Sequence, residues 1–280
     1  MDKSAHATAM SLLFWPLVVL SQLLAVAMLV VMVIWLQHHL GGFVWGASGG
    51  YHPLFLTLAL VFLFGEALLS FRVFSRCRLP YLAQKAVHAT VHTVIIILTI
   101  AGLRAATLAR DAEKDDQIVH HYSMHSWLGT FTVVLFCLQF VAGCAYYGAE
   151  RFLRQDHPLR AHYPQIHVFF GMFMFSLSIV SCLTGLSELS IYQITEYSKG
   201  VVSGIMGNVY GLSMVLFGGT TAFIVTKPEY KTITTPNTDS RQHYQAAYQD
   251  ALPGVGVSDD VTDDAMDARD ELRMQSTDSV

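Results

Sequence analysis

Residues 120–129 read HHYSMHSWLG. Three histidines stand at the mouth of an apolar run that continues to about residue 147. Ionisable side chains are costly in hydrocarbon, and those found in a membrane segment mark function by default. The run is long enough to cross a ~30 Å hydrocarbon core, which takes ~20 helical residues. Starting it at 124, five more stretches of that kind lie near 13–37, 53–74, 84–107, 164–187 and 201–226. Of the 280 residues, 53% are hydrophobic and only 14% charged, a membrane-class balance. The pattern predicts an all-α membrane protein with six transmembrane helices spanning 13–228, a short N-terminal segment (1–12) and a tail (229–280).

The first span is too long for a signal-peptide core and has no small-residue cleavage site, so it is read as retained. The tail is polar, acidic towards its end and without apolar period, which predicts disorder. Its YKTI (230–233) resembles a tyrosine-based sorting signal. A net charge of −4 gives no sign of nucleic-acid binding. Cys137, Cys144 and Cys182 lie in apolar spans and Cys77 in a short loop, so neither a disulfide framework nor a zinc site follows.

Lysine and arginine in short loops set orientation. Arg72, Arg76, Arg78 and Lys85 surround the second loop, and Arg151, Arg154 and Arg160 the fourth. Lys227 and Lys231 open the tail, whereas the first loop has no Lys or Arg and the fifth only Lys199. Both termini are therefore expected in the cytosol. Depth follows from that topology. His52 opens span 2 and His125 opens span 4 at the outer face. His88 in span 3 and His167 in span 5 lie at the inner face. HSWLG (125–129) and HVFFG (167–171) share a histidine followed four residues on by glycine, on the same helix face. A missing side chain there is expected to let something large and flat approach.

Two outer and two inner histidines on four helices suggest two bis-histidine sites stacked across the membrane, in the central bundle of spans 2–5. Haem iron is a natural occupant, because protein control of haem works through axial ligands and their surroundings. Spans 2 with 4, and 3 with 5, can each supply a ligand pair. His92, one turn from His88, is expected to support it rather than bind. The competing reading is a metal or proton transporter without haem. It lacks an acid at mid-depth; Glu66, the nearest, is expected to reach the cytosolic interface.

At this point the residues resemble the cytochrome b561 family of ascorbate-dependent transmembrane electron carriers. The resemblance runs from about 14 to 231 and includes YHPLF, KAVHATVH, YSMHSWLG, IHVFFG, GNVYGL and TKPEYK. It implies a six-helix homodimer in lipid with two haem b per chain: His52 with His125 on the outer haem, His88 with His167 on the inner. It also implies electrons taken from cytosolic ascorbate and passed to monodehydroascorbate or ferric chelates, in the plasma membrane or a secretory or endolysosomal vesicle membrane. Arg72 and Arg160 match family positions lining the ascorbate site, and Lys85 shares the face of His88. A lysine common four residues before Lys85 is here Tyr81, and the acid–glycine pair before span 6 is Ser203–Gly204, while Asn208 is retained on the outer side. The Phe and His that many relatives carry before Tyr-Ser-x-His are missing from RDAEKDDQIV. His120 and His121 are therefore candidates for the outer substrate role. A further alternative is a relay subunit serving a larger redox complex.

Overall fold

Each apolar stretch becomes one helix, since a chain in hydrocarbon must satisfy its backbone internally. The computed structural model describes residues 3–46, 49–112, 121–154 and 157–230, with the side chains of 3–11, Arg151 and Ala161 left aside. The helices are α1 (Lys3–His39), α2 (Tyr51–Arg76), α3 (Tyr81–Asp111), α4 (Met124–Ala149), α5 (Pro158–Gln193) and α6 (Val202–Thr226). All six are long and apolar enough to span a membrane, and no strand occurs among the described residues. The tail beyond Tyr230 and the loop 113–120 lie outside the described residues.

α2 packs on α3 and α4 on α5, while α1 runs along α6. The main core lies between these pairs, with Met28, Met32 and Trp35 of α1 buried against Tyr210, Met214 and Phe217 of α6. Leu23, Val26, Leu138, Val141 and Ile191 face outward, as lipid contact requires. At the end of the bundle where α6 closes, Tyr230 is buried against Phe14, 5.4 Å between ring centroids, and Arg76 lies over the Phe14 ring.

Two features depart from the sequence reading. α5 begins at Pro158 rather than 164, capped by His157, because proline is tolerated in the first helical turn. Within α2, Thr57–Leu63 is a π-helical segment, where the Thr57 hydroxyl meets the Tyr210 hydroxyl at 2.5 Å. Glu66 accepts a hydrogen bond from Gln22 of α1 at 2.8 Å and is partly buried.

Candidate functional site: two histidine pairs

His125 is set in the first turn of α4 by the Ser123 side chain, which accepts from the Ser126 N–H at 3.3 Å as an N-cap. His52 sits likewise in the first turn of α2. Their rings come together edge-to-face, 5.8 Å between centroids. His88 of α3 and His167 of α5 form the second pair, 6.3 Å apart. The four helices thus contribute one ring each, α2 with α4 and α3 with α5.

The unused ring nitrogens tell what these rings can do. Nδ1 of His52 faces the Gly102 carbonyl at 3.1 Å, and Nδ1 of His88 faces the Ala67 carbonyl at 3.1 Å. Nδ1 of His125 faces the Ser181 carbonyl at 2.8 Å. A carbonyl can only accept, so these rings carry their proton on Nδ1 and leave the Nε2 lone pair free. Histidines that bind metals are oriented in this way. His167 differs, because Gln139 Nε2 donates both to its Nδ1 (3.0 Å) and to its carbonyl oxygen (2.7 Å). Two imidazole nitrogens each ~2 Å from one metal ion place their ring centroids about 6 Å apart. Both observed separations fit that span. Among the described residues no group of three or more His, Cys, Asp or Glu converges on a metal position.

A regular spacing links the pairs. Gln139 stands fourteen residues after His125 and holds His167; Ser181 stands fourteen after His167 and holds His125. Gly102 stands fourteen after His88 and holds His52. Fourteen residues of α-helix rise ~21 Å. Each helix therefore offers a ring at one level and a support at the other. Ala67, fifteen residues after His52, holds His88, and the extra residue coincides with the π segment of α2.

A related spacing places other glycines against the rings. Built Cβ atoms at Gly129 and Gly171 would meet Ser181 Oγ (3.3 Å) and Leu68 Cδ2 (3.9 Å), neither of them a histidine ring. The glycines that abut the rings lie eighteen residues after a histidine, on the partner helix. Gly143 faces His167 Cε1 at 3.2 Å, and Gly185 faces His125 Cε1 at 2.6 Å. Sequence reasoning missed Gly143, Gly185 and Gln139. The signal was the offset of forty-two residues that carries His125, Gly129 and Gly143 onto His167, Gly171 and Gly185.

His92 touches His88 ring-to-ring at 4.3 Å, with no hydrogen bond between them among the described contacts. Its other neighbours are Phe64 (5.5 Å) and Phe136 (5.4 Å), and Phe64 continues to Phe175 (5.6 Å). These three phenylalanines are almost fully buried.

At the Lys85 end, that ammonium pairs with Glu150 and lies over the rings of Tyr81 and Tyr147. Arg160 donates to the Glu150 and Leu153 carbonyls, so the two cations converge on one residue. Arg72 is held elsewhere, donating to the Val225 carbonyl of α6. At the opposite end the Tyr122 hydroxyl donates to Glu188 at 2.7 Å. That bond, with some burial, raises the phenol above its ordinary range. His121 is exposed, with a left-handed backbone (φ 59°), and no described contact joins it to the His52–His125 pair. His120 lies outside the described residues. Asn208 accepts from the Tyr197 hydroxyl at 2.7 Å, in a cleft between α5 and α6.

Six membrane helices carrying two stacked histidine pairs define the class of a transmembrane b-type cytochrome. Residues 51–193, which include all four rings, match the model of the eukaryotic cytochrome b561 family. The chain is 35% identical over 217 residues to the transmembrane ascorbate-dependent reductase CYB561 of Sus scrofa, covering 76% of this chain and 83% of that protein. The Homo sapiens protein of that name is 31% identical over 231 residues, covering 81% and 88%. The plasma membrane ascorbate-dependent reductase CYBRD1 of Xenopus laevis is 31% identical over 223 residues, covering 78% and 77%. The chain belongs to the eukaryotic cytochrome b561 family, and that membership implies b-type haem.

Proposed function

We propose that the chain is an ascorbate-dependent transmembrane reductase with two b haems, one between His52 and His125 and one between His88 and His167. Bound haem supplies reversible one-electron chemistry, with its potential set by axial ligands and surroundings. The observation that carries this reading is the pairing of four rings at two levels of one bundle, three of them with Nδ1–H tied to a backbone carbonyl. The relatives are named for ascorbate-dependent reduction, which supports ascorbate as donor.

In this reading the Lys85 end faces the cytosol, as the distribution of Lys and Arg favours, and both termini lie there. Lys85 and Arg160 attract the ascorbate anion, and cationic mouths raise the rate of such encounters. One electron leaves ascorbate and a proton is released to the cytosol. His92 with Phe64, Phe136 and Phe175 forms a buried aromatic cluster beside His88 that excludes water. On the far side the electron reaches monodehydroascorbate or a ferric chelate, with Asn208, His120 and His121 as the acceptor-side residues. The test is the visible spectrum of the purified protein after ascorbate is added, with haem counted by pyridine haemochrome. About two haems per chain, both ascorbate-reducible without a partner protein, is the expected result. A spectrum without haem bands would leave the transporter reading in its place.

A further inference from the structure

Glu150 opens the short turn that follows α4, and its carboxylate sits on the Lys85 ammonium. The two side chains keep 17% (Lys85) and 28% (Glu150) of their surface exposed, so the pair is in reach of solvent. Arg160 holds the same residue from its other side, through the backbone, donating Nη2 to the Glu150 carbonyl at 2.5 Å and to the Leu153 carbonyl at 3.1 Å. Among the described residues, the Arg160 Nε is nevertheless buried with no hydrogen-bond partner, and so is the hydroxyl of Tyr163, one turn further along α5. Buried polar groups without partners are uncommon and call for an explanation. One internal carboxylate thus neutralises the lysine while donors on the neighbouring helix stand unmet.

We propose that Glu150 is a displaceable internal anion, which occupies Lys85 in the resting protein and yields it to incoming ascorbate. The inference rests on the reading of this end as the ascorbate site. Its geometry suits displacement. A partly exposed ion pair contributes little net stability, so it exchanges readily. The backbone of Glu150 is fixed by Arg160 while its side chain is held by Lys85 alone among the described contacts. The carboxylate can therefore swing to water without moving the turn. Ascorbate, an oxygen anion of the same sign, then takes the ammonium and brings hydroxyl groups to the unmet donor and hydroxyl. Glu150 sets the affinity of the site by competing for it, and also disfavours anions too weak to displace a carboxylate.

The test is steady-state reduction of the full-length, haem-loaded protein by ascorbate. It compares wild type, Glu150→Gln, Glu150→Asp, Lys85→Ala and the double variant Lys85→Ala/Glu150→Gln. Haem content is verified in each by dithionite reduction. Glu150→Gln should lower KM about three- to fivefold, the range an ion pair of this exposure supplies. The effect should fall on KM rather than kcat, the signature of a change in ground-state binding. Glu150→Asp, one methylene shorter, should fall between Gln and wild type, and it decides the matter should the Gln variant not retain haem. In the Lys85→Ala background the Gln change should have no effect. A KM unchanged or raised in both Glu150 variants, with Lys85→Ala still raising KM, overturns the displacement and leaves the site standing. A KM unmoved by Lys85→Ala as well overturns the site and the displacement together.

Discussion

A methyl group on Gly185 of α5 would lie 2.6 Å from Cε1 of His125 on α4, closer than any side chain can approach. The ring occupies space that only glycine leaves. Gly185→Ala should therefore push His125 from its Ser181 contact, with the overpacking cost of about 1–3 kcal/mol typical of such insertions. Haemochrome analysis is expected to fall from about two haems per chain to about one. Gly143→Ala, with 3.2 Å of room beside His167, should retain both haems and alter only the inner spectrum.

His88→Ala or His167→Ala should remove the inner haem and leave the outer. The supports that the helices of these two residues lend to the outer rings are the backbone carbonyls of Gly102 and Ser181, and neither substitution touches them. Low-temperature spectra that resolve the two haems check this. Loss of the outer band with survival of the inner would contradict the pairing.

Gln139→Leu removes the one side-chain partner described for the His167 ring nitrogen. By donating to Nδ1 the amide leaves the proton of a neutral His167 ring on Nε2, the nitrogen that would face a metal. Haem titration of the apoprotein should therefore show tighter binding at the inner site in the variant, with the outer site as an internal control.

The arrangement of rings was legible in the sequence because histidine is conspicuous in apolar surroundings and helix geometry turns spacing into depth. His52, His88, His125 and His167 needed nothing more. The supports were harder to read. Gly102, Ala67 and Ser181 act through backbone carbonyls, which no residue type announces. Gly129 and Gly171 drew notice by their nearness to a histidine in sequence, yet the ring-abutting Gly143 and Gly185 lie a membrane's depth away and on the other helix. The π segment left no mark, since Thr57–Leu63 reads as an ordinary apolar run. Glu150 stood among loop charges, and its pairing with Lys85 depends on how the turn after α4 folds back.

Lys85→Ala should slow reduction by ascorbate several-fold at low ionic strength while haem content stays intact. The difference from wild type should shrink as salt rises, because exposed charges are screened beyond ~8 Å at 0.15 M. Stopped-flow traces across a salt series measure both. Arg160→Ala should slow reduction too, with a weaker salt response, since Arg160 also fixes the turn bearing Glu150 through two carbonyls.

The fourteen-residue rule bears on how the protein is made. As the chain enters the membrane, α2 and α4 bring His52 and His125 into place first, but the carbonyl that steadies His125 arrives only with α5. The inner rings wait on the same helix, which carries His167 itself. No helical hairpin alone holds a finished grip on anything. If the ring pairs hold haem as proposed, its capture is expected to wait until α5 has entered the membrane.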